Sequence, residues 1–493
     1  MDTSCLRPEP LKRYVPLIAL VITILTLVII PFKVISYGYL PPDDALRHAG
    51  KAVSDKPWSE ILILNTCIKM DSHPGWHAIL GFLHKTAGMN TDDLVVFSVI
   101  FLFLLFSGGP LFLVKRPEAW IISLIVVTVV NLTFIGRLFL GRPFILTMFV
   151  VAVMCLSWHK FRDRLMPWGT FWGLAALIAV TAWAHCGWYQ LALPILAVFL
   201  AKEWKAGFRL TLAAGLGILL GASFTGHPAL YFEQTVTHAV RAMSAHPVQR
   251  LLVGEFQPMA ADAVTALAVI AVIVYCHIRG RLDRKSVSNP VFILVCLSWM
   301  LGFVSRRFWF DFGTPAVCVW ITLMLQDIIA ADAPECSCQR IVITIIACSV
   351  LYLSVTADIS SRWTWPLTKA YLDTNDSEQA EWLPGEDGII YTADMSIFYD
   401  TLYKNPRAPW RYILGYESAI MPDEDLAVYD NIHWNNGSEK AYAPWVAKMR
   451  PNDRLALRGG TGGAPDIPEL EWKYIVTGIW IGRPRNTRNT SDI

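Results

Sequence analysis

The chain has 493 residues, 54% of them hydrophobic and only 17% charged. A soluble chain of this size carries roughly 25% charged residues, so the composition excludes an ordinary globular enzyme and indicates a polytopic membrane protein. The formal net charge of +2 selects no class of partner, and no nucleic-acid partner is expected.

The first apolar run, 14–32, ends in Pro31-Phe32-Lys33 without a small-residue cleavage site. It reads as an uncleaved first span rather than a signal peptide. Further runs of spanning character fall near 94–114, 119–136, 144–158, 169–185, 188–200, 209–223, 262–278, 290–304, 312–329 and 340–356, about eleven in all. The positive-inside rule then sets the orientation. With the N-terminus in the cytoplasm, inside segments hold Lys12, Arg13, Lys115, Arg116, Lys160, Lys202, Arg279 and Arg340, while the short outside loops hold only Arg137, Arg142, Arg306 and Arg307. The first loop (33–93), the loop 224–261 and the region 357–493 are thereby expected outside the cytoplasm.

The outer segments gather unusual polar residues. After Pro41-Pro42, the stretch DDALRHAGKAV has helical spacing and puts Asp43 and Asp44 in a first turn, where the helix dipole favours acid. Simple capping is one reading; a solvated, chemically active acid pair is the other. His73 and His77 are four apart and could share a helix face beside Trp76, without the acid spacing of a zinc protease. Arg137 and Arg142 fall in one tight turn and His185 in the next. The long loop brings His246, Arg250 and Glu255, and SRRFWFDFGTP brings Arg306, Arg307 and Asp311. Arginines bind phosphate by charge-assisted, often bidentate bonds, and a carboxylate can deprotonate an acceptor hydroxyl.

The segment PPDDALRHAGKA resembles the acidic opening of the first outer loop in the GT-C superfamily of membrane glycosyltransferases, near their aminoarabinose and mannosyl transferase branches. GRPFILTMF, AHCGWYQLALP, VGEFQP and RRFWFDFGTP are similar, in the same order, to turns of a bacterial branch of that superfamily. The departures are Cys186 for a glycine, Phe256 for a tryptophan, and the intruding Asp311. The resemblance covers residues 14–320. It implies an inverting transfer of sugar from a polyprenyl-phosphate donor to a saccharide, lipid or protein acceptor outside the cytoplasmic membrane. It makes Asp43 the base, with Asp44 its helper or a metal ligand and Glu255 a second carboxylate. It puts Arg142, Arg306, Arg307 and Arg250 on the donor phosphate. His73, His77, His185 and His246 are candidate substrate contacts. A divalent metal, Mg or Mn, held in part by Asp43, is possible for some members of the superfamily and not for others.

From about 357 the apolar runs shorten to strand length, at 387–392, 412–415, 454–459 and 472–482, with helical stretches at 394–404 and 441–449. This reads as one α/β domain of about 110–130 residues, enough for its own core. RGGTGGAPD (458–466) lacks the Lys-Ser/Thr of a phosphate loop and reads as a turn. The expected fold is thus a polytopic helical membrane module, 1–356, followed by an extracytoplasmic α/β domain, 357–493. A transporter or flippase of lipid-linked saccharides is the alternative. Such proteins carry midplane polar residues and internal repeats, and neither is evident here.

Overall fold

A computed structural model describes residues 9–162, 165–244, 254–255, 257–259, 263–280, 282, 287–332, 337–476 and 478–485. The main helices in chain order are α1 (Glu9–Ser36), α2 (Asp44–Ser54), α3 (Pro74–Ala87), α4 (Thr91–Gly108), α5 (Pro117–Val130), α6 (Leu132–Leu138), α7 (Phe144–Phe161), α8 (Trp168–Ala184) and α9 (Ala192–Leu200). They continue with α10 (Trp204–Ser223), α11 (Pro228–Ser244), α12 (Ala263–Ile278), α13 (Pro290–Gly302), α14 (Thr314–Asp332), α15 (Cys338–Thr356), α16 (Met395–Lys404), α17 (Asp423–Trp434) and α18 (Ala443–Lys448). Five strands follow the same order: β1 (Ile389–Tyr391), β2 (Arg411–Tyr412), β3 (Arg454–Arg458), β4 (Leu470–Val476) and β5 (Ile479–Pro484).

The chain divides into two compact units. The helical unit comprises 1–39, 97–226 and 255–364; the sheet unit comprises 40–96, 227–254 and 365–493. The sequence boundary at 356/357 left the first loop with the membrane module. By contacts, 40–96 belongs with the C-terminal region.

The apolar runs of spanning length before residue 357 are helical over most of their described residues. Among the described residues six helices are long and apolar enough to cross a membrane, and five further apolar helices are shorter. Large apolar side chains such as Leu17, Leu25, Phe208, Leu219, Leu267 and Ile346 are exposed on them. Water disfavours so much exposed apolar surface, and these helices suggest a membrane protein. Two small-residue contacts show how the helices close up. Gly217 and Gly221 of α10, four residues apart, face Ala175 and Ala179 of α8, and a Cβ on either would overlap the α8 backbone. Such small-xxx-small seams let helix backbones approach without a hydrophobic drive. At the start of α14 the ladder loosens into a single π turn, Trp309–Gly313. The missing Cβ of Gly313 makes room there for the Trp309 ring.

In the sheet unit the strand order is β2-β1-β3-β5-β4, with β2, β1 and β3 parallel and β3, β5 and β4 antiparallel. Alternate residues feed two cores: Ile390, Ala456 and Tyr412 face one side with α16, and Tyr391, Leu455 and Ile413 face the other with α17 and α18. The apolar run 472–482 is two strands rather than one, because Gly478 takes φ +84 in the turn between β4 and β5. Helix α17 is a further element that the sequence reading left out. The first loop supplies the far edge. Leu62 pairs in parallel with Tyr412, the Ile63 N–H donates to the Tyr412 carbonyl at 2.9 Å, and Asn65 Nδ2 donates to Asp423 at 2.9 Å. Leu62 enters one core and Ile63 the other, as the period of two requires.

Candidate functional site

Among the described residues, the candidate site residues of the sequence fall in two polar clusters, one in each unit. In the helical unit, four separate segments meet at the ends of apolar helices. The last turn of α6 carries Arg137, the turn leading into α7 carries Arg142, the end of α8 carries His185, and the segment from Ser305 into the π turn carries Arg306, Arg307 and Asp311. Glu255 comes from the long connection. Its Oε1 accepts from Arg142 Nη1 at 3.0 Å and from Arg137 Nη1 at 3.4 Å. Its carbonyl accepts from the Arg307 N–H at 3.2 Å and from Ser305 Oγ at 2.9 Å. Asp311 is buried and bridges two arginines, with Arg137 Nη2 at 2.6 Å and Arg307 Nε at 3.2 Å. It lies inside the π turn, four residues after Arg307.

Arg307 Nη2 also lies 3.3 Å from His185 Nε2, and His185 Nδ1 lies 3.0 Å from Thr147 Oγ1. A guanidinium only donates, so Nε2 is the acceptor and Nδ1 carries the proton toward Thr147. Arg306 is set differently: its N–H and its guanidinium both bond Gln257, at 2.9 and 3.3 Å. Three arginines thus surround two carboxylates. Their guanidinium groups remain partly exposed on Arg142 and Arg307, at 21% and 20%. Such an arrangement can take up an anion in addition to its own acids.

The second cluster lies in the first-loop part of the sheet unit. Asp43 is the N-cap of α2; its carbonyl accepts from the Leu46 N–H, but its carboxylate makes no capping hydrogen bond. Capping therefore does not account for that side chain. Asp44 departs from the solvated pair expected of the sequence. It is 7% exposed and bonds Arg47 Nε at 2.6 Å, with the Arg47 guanidinium stacked over Tyr416, 4.0 Å from the ring centre. Burial works against the charge on Arg47, but Asp44 more than offsets it and raises its pKa.

His73 is the N-cap of α3 and His77 lies one turn on: the His77 N–H donates to the His73 carbonyl at 3.1 Å, and the two rings meet edge to face with centres 6.3 Å apart. Both pack against His48, which the sequence reading passed over, with ring centres 4.9 Å away in each case. His77 Nδ1 bonds Asp71, and His77 Nε2 lies 2.7 Å from His48 Nδ1. Burial would raise the Asp71 pKa; the bond to His77 and the His73 N–H outweigh it and hold the carboxyl well below its usual range. Burial lowers the His77 pKa. Ionised Asp71 therefore accepts from a neutral His77, whose Nε2 accepts from His48: a directed line of three groups able to hold or pass a proton. Asp71 is itself placed by Gln234 of α11, which accepts from the N–H groups of Lys69 and Met70 at 2.9 Å each.

His246 and Arg250 lie outside the described residues. Among the described residues no three His, Cys, Asp or Glu side chains are grouped to hold a metal ion, and Asp44 is committed to Arg47. No family model matches the chain, and no curated protein matches it in sequence.

Proposed function

We propose that the protein is a membrane glycosyltransferase that moves a sugar from a polyprenyl-phosphate donor to an acceptor hydroxyl at the outer face of the cytoplasmic membrane. The observation that carries this reading is the convergence of Arg137, Arg142 and Arg307 on Glu255 and Asp311 at the ends of apolar helices. A lipid-linked phosphate presents its charge at the edge of the hydrocarbon, where such arginines can meet it. They stabilise the negative charge that grows on the phosphate as the glycosidic bond breaks. Glu255 and Asp311 keep the guanidinium groups oriented in the absence of substrate. His185, with its proton on Nδ1, leaves the charge of Arg307 undiminished. Asp43 acts as general base on the acceptor hydroxyl, a role that rests on the family resemblance. The reading includes about eleven spans, which rest on the apolar runs, and an N-terminus in the cytoplasm with the C-terminal region outside, which rest on the distribution of lysine and arginine.

The test compares wild type with Asp43→Asn and Arg307→Ala in lipid nanodiscs, using a panel of polyprenyl-phosphate sugars with and without a chelator. Donor loss and sugar transfer are followed by mass spectrometry. Wild-type turnover should fall by roughly 10²–10⁴ in Asp43→Asn, the range for removing a general base. Equal turnover in wild type and both variants would overturn the assignment.

A further inference from the structure

The sheet unit holds a cleft that the proposed transfer does not use. The chain leaves β1 through α16 on one face of the sheet and enters β3 from α17 and α18 on the other. The connections therefore part between β1 and β3, which are adjacent and parallel. In open α/β sheets such a switch point leaves a crevice beyond the carboxyl ends of the strands, and ligands bind there. A cleft of about 950 Å³ opens at this place. Its walls are the 392–395 segment after β1, the glycine-rich loop after β3, the end of α17, and Trp480 of β5.

The first ligand to consider at a switch point is a phosphate, and the local chemistry disfavours it. The helix N-terminus that a phosphate would use is that of α16, and Asp394 already occupies it. Its Oδ1 accepts from the Ser396 N–H at 2.8 Å and from Ser396 Oγ at 2.6 Å. The glycine-rich loop runs on to β4 with no helix of its own to add a dipole. The cationic side chain at the mouth, Arg458, is bonded to Asp394, and its Nη2 lies 3.6 Å from Asp400. Glu439 brings a further negative charge; its Oε1 accepts from the Asp466 N–H at 2.9 Å and pins the far end of the loop. Burial lowers the pKa of His433, whose Nε2 donates to the Ala393 carbonyl at 3.3 Å.

What remains is a cleft with carboxylates, an amide-rich loop and aromatic rings, but without spare positive charge. We infer that this switch-point cleft binds an uncharged oligosaccharide. Sugar hydroxyls suit Asp394, Glu439 and the backbone of Gly459–Gly463 as partners, because each hydroxyl both donates and accepts. The apolar face of a sugar ring suits the indole of Trp480, which is fixed at one edge by its Nε1–H bond to the Gly460 carbonyl at 3.0 Å. The glycine-rich segment that read as a plain turn is on this account one wall of a binding site.

The experiment is isothermal titration of the full chain in lipid nanodiscs, which keep sugar-headed detergents out. The probes are cellobiose, maltotriose, mannotriose and chitotriose, against UDP, ATP and inorganic phosphate. At least one neutral saccharide should bind saturably, and its Kd should rise roughly tenfold or more in Trp480→Ala, as for loss of a central aromatic anchor. Glu439→Gln keeps an acceptor for the Asp466 N–H, so the loop holds while the charge is lost; saccharide affinity should fall with the thermal midpoint unchanged. Binding of a nucleotide or phosphate that is lost in Arg458→Ala would overturn the inference. So would silence across all four saccharides, or saccharide binding indifferent to both substitutions. No lipid-linked donor is present in this assay, so it succeeds or fails independently of the transferase reading.

Discussion

The helical unit has a charged cluster at each end of α14, and the two are built to opposite specifications. At the start of the helix, Asp311 and Glu255 hold three arginines whose outer edges stay partly open. Near its other end, Gln326 accepts from the Lys115 N–H at 2.8 Å beside a closed lock. There Glu118, fully buried, accepts from Arg340 Nε at 2.8 Å and from Arg116 Nη1 at 3.2 Å. Asp311 and Gln326 are about 22 Å apart by helical rise, so the clusters are chemically independent. Both have more arginine than acid. The difference is access: the closed lock joins α5 to α15, whereas the open cluster retains guanidinium edges for something else. Composition alone would have called both ion-pair networks.

The comparison breaks most easily at the lock. Glu118→Leu leaves two buried arginines without their acid and should cost about 3–5 kcal/mol, read as a large fall in thermal midpoint in nanodiscs. Adding Arg340→Met should recover part of the loss; no recovery would mean that Glu118 supports the fold by some other contact. At the open end, Glu255→Gln should change stability by no more than about 1 kcal/mol, since the pairs are part-exposed. It should nonetheless reduce sugar transfer, because Arg137 and Arg142 lose the group that aims them. A melting loss as large as that of Glu118→Leu would make the open cluster a second lock.

A smaller effect sharpens the same contrast in the sheet unit. Asp400 is buried with Lys369 Nζ at 2.6 Å and Arg458 nearby, yet burial outweighs both cations and pushes its pKa up to about 6. A carboxyl whose folded pKa lies above its unfolded value binds a proton more tightly in the native state. Its contribution to stability is greatest near pH 4, declines as pH rises to about 6, and is flat above that. The stability difference between wild type and Asp400→Asn should shift across that window by about 1–3 kcal/mol, measured by denaturant titration at pH 4.5 and 7. A difference independent of pH would show that the two cations, not burial, set the charge on Asp400.

Much of the helical unit was legible because an apolar run of spanning length has few alternatives to a helix. The charged turns were legible as types, and Arg142, His185, Glu255 and Arg307 do come together. What joined them was not. Asp311 meets Arg137 across 174 residues, which no local spacing reveals, so Asp311 looked like an intrusion. Asp44 and Arg47 are three apart on one helix, and that pairing could have been read from spacing alone. The line from Asp71 through His77 to His48 could not, since it spans 29 residues between two helices that carry no shared pattern. The run ILIL at 61–64 reads equally as core helix or buried strand, and only its pairing with β2 decides.

That pairing also has a timetable. Asn65 is bonded to Asp423, 358 residues further along the chain. At a synthesis rate of about 5–20 residues per second, the first loop waits roughly 20–70 s before the partner it pairs with exists. During that interval Trp58, Ile61 and Leu62 have no core to enter, and the unpaired edge at 61–65 is a hazard that folding must survive. Strands β3, β4 and β5 therefore complete a sheet whose outermost edge is made hundreds of residues before them.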